Sequence, residues 1–147
     1  MANSVPNSFK KAILEGDIIG AADTFKIILM KAAFVFDVDA HHAYADVIAN
    51  EVANGLGYTT GGATLSTATI AANNTVNTGT ITWPQVSWTA SGGSLVASGA
   101  IIYDDTTATG DGCDHTDAIV SYIDFGGTTT ITDGLILRVT NVSVTIT

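Results

Sequence analysis

At 147 residues and 15.1 kDa the chain has the size of one domain, long enough to bury roughly 68–70% of its unfolded surface without disulfide or metal staples. It is 46% hydrophobic and only 13% charged, about half the charged content of an average soluble domain, so part of its surface is expected to lie under partner protein; a monomer with a Thr- and Ser-rich polar surface is the plainer alternative. The net charge of −9 and pI near 4.2 repel phosphate backbones and anionic lipid, which sets nucleic-acid and membrane partners aside.

Taken in chain order, residues 1–9 lack a basic segment followed by an apolar stretch, so no signal peptide is expected. Phe9, Ala12 and Ile13 follow helical spacing, with Asn7 or Ser8 as N-cap and Gly16 as stop; residues 1–20 read as an N-terminal helical arm available for a contact with another protein or subunit. Residues 25–30 alternate Phe25, Ile27 and Leu29 with Lys26, Ile28 and Met30, a strand apolar enough to lie centrally or in an interface. A second helix is expected on Tyr44, Val47, Ile48 and Val52, capped by Asp39 and ended by Gly55.

From Thr59 onward the chain speaks in strands, and 22 threonines in the whole sequence strengthen that reading. Turn signals recur at Gly61-Gly62, Asn73-Asn74, Gly92-Gly93, between Gly110 and Gly112, at Gly126-Gly127 and at Asp133-Gly134. Residues 100–103 form a strand buried on both faces, and another covers residues 118–126. At the C-terminus Leu135, Leu137 and Val139 alternate in one parity, while Val142, Val144 and Ile146 alternate in the other. That inversion predicts a β-bulge or a change of sheet near Thr140-Asn141. With no fixed repeat and no linker, residues 1–147 are expected to form a single, mainly β domain. The favoured form is a jelly-roll-like β-sandwich with one or two short helices near the N-terminus.

Chemistry is sparse. Asp37, Asp39, His41, His42 and Asp46 form the densest set of potential zinc-type ligands, but at no recognised spacing, and Asp39 is needed as a cap. Asp111, Asp114 and Asp117 could offer oxygen ligands to calcium, although the order of an EF-hand is missing and a solvated acidic loop explains them as well. Cys113 is the only cysteine, which excludes an intrachain disulfide and fits a reducing cytoplasm. Its carboxylate neighbours raise rather than lower a thiol pKa, which argues against a nucleophile. Trp83 and Trp88 flank Pro84 and are expected in a core or interface in preference to a sugar platform. The sequons at Asn73 and Asn141 matter only in a secreted chain. No catalytic constellation and no cofactor motif emerges, and a non-enzymatic role is expected.

One resemblance is carried by phrases occurring in order along the chain. They are residues 23–30 (Asp23-Thr24-Phe25-Lys26-Ile27-Ile28-Leu29-Met30), Asp39-Ala40-His41, residues 46–52 from Asp46 to Val52, and residues 57–65 from Gly57 to Leu65. Ala100-Ile101-Ile102-Tyr103 and Tyr122-Ile123-Asp124-Phe125-Gly126 complete them. The set resembles small virion structural proteins of tailed bacteriophages across roughly residues 7–147, with 66–99 contributing least. What the resemblance implies is a capsid decoration, or cement, protein. Such a protein is a jelly-roll domain assembled as a homotrimer on the capsid exterior, bound to the major capsid protein and made in the bacterial host cytoplasm. It stabilises the capsid by clamping adjacent capsomers and brings no catalytic residues. Lys10, Lys11, Lys26 and Lys31 are the expected contacts to an acidic shell. A tail or head-fibre component of the virion and a calcium- or glycan-binding β module are the alternatives.

Overall fold

The computed structural model describes residues 2–18, 20–106 and 115–147. In chain order its elements are β1 (Ala2–Ser4), α1 (Asn7–Glu15), β2 (Phe25–Met30), α2 (Tyr44–Val47), β3 (Ala63–Thr64), β4 (Thr69–Asn73), β5 (Thr78–Thr82), β6 (Val86–Thr89), β7 (Leu95–Asp104), β8 (Ile119–Ile131), β9 (Ile136–Val139) and β10 (Ser143–Ile146). The chain is therefore mainly β, with antiparallel sheets and two short helices, an arrangement compatible with the expected sandwich. A five-stranded sheet runs β1-β8-β7-β2-β3, a three-stranded one runs β10-β5-β4, and β6 pairs with β9.

Sequence alternation explains how the layers stack. On one face of the large sheet Ile27, Leu29, Ala100, Ile102, Val120 and Ile123 meet Ile81 and Val144 of the three-stranded sheet. Trp88, Leu137 and Val139 of the two-stranded pair and Phe9 of α1 join the same cluster. On the opposite face Ile28, Met30, Ile101, Tyr103, Ile119 and Tyr122 are covered by Phe34 and Val47 from the segment between β2 and β3. Covered on both sides, β2 and β7 have no solvent face on which to place polar residues, which is why their sequences are nearly unbroken apolar runs. Burying each of these side chains contributes about 1.5–3 kcal/mol.

The N-terminal residues are built into this core rather than forming a detached arm. β1 pairs with β8, from Ala2 opposite Asp124 to Ser4 opposite Tyr122. Helix α1 buries Phe9 and Ala12 and leaves its other side in solvent. Pro6, not Asn7 or Ser8, takes the N-cap position, while Gly16 ends the helix in the left-handed conformation as expected.

Three expectations need correction. The second helix is only α2 followed by a single 3-10 turn at Ile48–Asn50, and it stops at Glu51 rather than Gly55. Asp39 does not cap it, because residues 37–41 form a turn closed by the His41 N–H on the Asp37 carbonyl, 3.0 Å away. The glycines at 126 and 127 do not end a strand either. Ala97 lies opposite Thr129 and Gly99 opposite Asp124, so β8 swells there by several residues and then continues. Gly126 and Gly127, at φ 78° and 147°, make that excursion possible.

The parity inversion near residue 140 is a change of sheet: β9 pairs with β6, whereas β10 pairs with β5. Asn141 makes the corner at φ 56°, and Val142 and Val144 re-enter the core fully buried.

Candidate functional site

The five residues with metal-type side chains between 37 and 46 are each occupied in local structure. Asp37 Oδ1 accepts the Asp39 N–H at 2.9 Å, and His41 Nδ1 accepts the Asp37 N–H at 3.1 Å. The His41 ring stacks on Phe34 with centroids 5.4 Å apart. Asp46 takes over the capping role expected of Asp39, accepting the His42 and Ala43 N–H groups at 2.9 Å each. Burial pushes its carboxyl pKa up, but those backbone donors, with the nearby His42 and His115, outweigh it and hold the group below the usual value. His42 stacks on His115 at 5.0 Å and 14°.

Of the calcium candidates, Asp111 and Asp114 lie outside the described residues, as does Cys113. Asp117 is described: its carbonyl accepts the Tyr44 N–H at 2.9 Å, and its carboxyl is pushed up by burial and by Asp105. Among the described residues no group of three or more His, Cys, Asp or Glu is arranged to hold a metal ion. Trp83 and Trp88 are buried in one core cluster, brought together by the bend at Pro84 and the passage from β5 to β6. Their faces are not offered to a sugar.

The four lysines lie in three places, two of them together on α1. Lys10 and Lys11 sit on the solvent side of α1, where Lys11 pairs with Glu15 at 2.7 Å. Lys26 in β2 pairs with Asp105 at 2.9 Å. Lys31, just past β2, donates to the Ala49 carbonyl at 2.8 Å.

Two polar centres were not foreseen from sequence. Glu51 is 3% exposed, yet its carboxylate accepts the Tyr44 and Tyr58 hydroxyls at 2.6 and 2.5 Å and the Gly61 N–H at 2.7 Å. Burial first, and then the bond to Glu51, push both phenols above their ordinary range. Tyr44 also stacks flat on Tyr103 at 4.8 Å, and Tyr103 donates to the Gly61 carbonyl at 3.2 Å. Gly62 must be glycine, because it sits at φ 73° and a Cβ there would overlap the Ile27 carbonyl. This network ties residues 44–62 to the large sheet through the Leu29 N–H and Tyr103.

The second centre is Asp104, fully buried at the end of β7. Burial drives its carboxyl up to about 6; the Thr106 hydroxyl and N–H oppose the rise, while the charge of Asp23 and a hydrogen bond to it add to it. Asp104 therefore keeps its proton only below about pH 6.

One stretch of the exposed surface carries no charge. Residues 52–103 contain no Asp, Glu, Lys, Arg or His. Within that span every residue of β4 is exposed, Ile70 by 56%, and Val76 at the hairpin tip by 60%. Ile70 lines an apolar cavity of about 210 Å³ with Ile13, Ile18, Ile81 and Ile146. Leu14 on α1 is 87% exposed. The charge-free run was the sequence signal for this surface. Comparison with protein-family models, with curated proteins and with solved structures found no match to the chain.

Proposed function

We propose that this chain is a non-enzymatic virion protein of a tailed phage, a decoration protein that seats as a homotrimer on the outside of the head and clamps adjacent capsomers. The observation that carries the reading is the neutral surface: a molecule of net charge −9 confines its charges to two parts of the sequence and keeps residues 52–103 free of them. Exposed apolar side chains on that span have no solubility value, and their use is contact with protein. The resemblance of the ordered phrases to small phage virion proteins supplies the setting. A clamp of this kind needs many weak contacts repeated by symmetry and no chemistry. Net negative charge is harmless outside a shell, whereas it would be repelled by packaged DNA.

The test is loading onto heads that lack the protein. Saturable binding with density over capsomer seams on the outer surface is expected. Lys10→Glu together with Lys11→Glu should lower occupancy, because both residues lie on the open side of α1. Absence of head binding, or density confined to the tail, contradicts the proposal.

A further inference from the structure

Strand β4 forms the outer edge of its sheet, paired on one side to β5 from Thr69 opposite Thr82 to Asn73 opposite Thr78. Among the described residues no backbone hydrogen bond reaches its other side. Folded proteins guard such edges with charge, proline, a bulge or a covering loop. None of these protects β4: its sequence Thr69-Ile70-Ala71-Ala72-Asn73 carries no charge and no proline, its register against β5 is regular, and all five residues are exposed.

We propose that this edge is a docking site for a second copy of the chain, the two β4 strands pairing antiparallel about a two-fold axis at Ala71. The inference rests on the assembly role proposed above and names its contact. Charge limits where two copies can meet. Two copies of a −9 molecule repel, and they can meet at short range only where neither brings a carboxylate, which the 52–103 span provides. The register is self-complementary as well. Centring on Ala71 sets Thr69 opposite Asn73 and Ile70 opposite Ala72, so the bulky side chain meets a small one and the two alanines at the axis permit close approach. The three-stranded sheet becomes a six-stranded one crossing the axis. A two-fold contact is isologous and cannot close a three-fold ring. On a shell, β4 therefore joins one trimer to the next. Five residues a side make a small interface, so the contact is weak in dilute solution and strengthened where copies are held close on a surface.

Disulfide trapping of the full chain tests this. In a Cys113→Ser background, Ala71→Cys places two thiols on the axis, where paired strands hold Cα atoms about 4.5–5.5 Å apart, inside disulfide range. Rapid formation of a cross-linked dimer is expected, several-fold ahead of Val76→Cys at the equally exposed hairpin tip. The double variant Ile70→Lys, Ala71→Lys should weaken association by at least about tenfold, judged by sedimentation. Ala71→Cys cross-linking no faster than Val76→Cys, with sedimentation unmoved by the lysines, overturns the inference. Head binding is measured on the same samples. Trapping through Ala71→Cys without head binding contradicts the decoration role and leaves the β4 contact standing. Head loading with Ala71→Cys inert overturns the β4 contact alone.

Discussion

The segment around Glu51 and the β4–β5 hairpin are neighbours in sequence but treat polarity in opposite ways. At Glu51 a charge is taken out of water and satisfied by two phenols and a backbone N–H, so removing it leaves a cluster of buried donors stranded. At β4 there is no charge, no buried polar group and no cover. One region is held together from within. The other leaves its outer backbone edge facing solvent.

Breaking the first region should cost most. Glu51→Ala is expected to lower unfolding free energy by about 3–5 kcal/mol in urea titrations, since it orphans Tyr44, Tyr58 and the Gly61 N–H. Glu51→Gln keeps an acceptor and should lose less.

Asp104 sharpens the contrast through pH. Its folded pKa, about 6, lies above its unfolded value, so folding favours the protonated form. Stability is then greatest below the unfolded pKa and declines as pH rises from about 4 to 6, by an amount on the order of 3 kcal/mol. Asp104→Asn should flatten that slope in melts across the window.

Asp46 carries the opposite sign. Its pKa is held down by the backbone N–H groups it caps, so its contribution is present at neutral pH and lost as pH falls through the folded value. Asp46→Ala should cost about 1 kcal/mol at pH 7, and chemical denaturation should find the deficit shrinking in acid. Smallest of all on stability, Ala71→Lys should shift unfolding by less than about 0.5 kcal/mol while weakening association. A large loss of stability there would mean that β4 is supported from within after all.

Much of this fold was legible. The strands at 25–30 and 100–103 announced themselves by apolar runs, and the parity inversion between Val139 and Val142 marked the change of sheet. The register shift between Ile102, opposite Ser121, and Tyr103, opposite Ile119, was not read from the sequence, although the apolar pairs on either side of Ser121 carry a flip of parity like the one at residue 140. Gly126-Gly127 misled because paired glycines serve a bulge as well as a turn. Asp39 was misassigned because Asp46, inside the helix, reaches back to cap it, a geometry that spacing alone does not order. Glu51 was hidden because its partners come from the fold: Tyr44 and Tyr58 lie seven residues to either side, close in sequence yet brought together only by the turn onto β2. The open surface of β4 was implicit in the absence of charge, which composition averaged over the whole chain dilutes.

The central claim, that the neutral span is there to contact protein, is tested most directly by sedimentation equilibrium of the free chain over a wide concentration range at low and high salt. Association that grows with concentration and is strengthened by salt is expected, because screening relieves the repulsion between acidic copies while leaving an uncharged contact intact. A monomer at every concentration, indifferent to salt, contradicts the account.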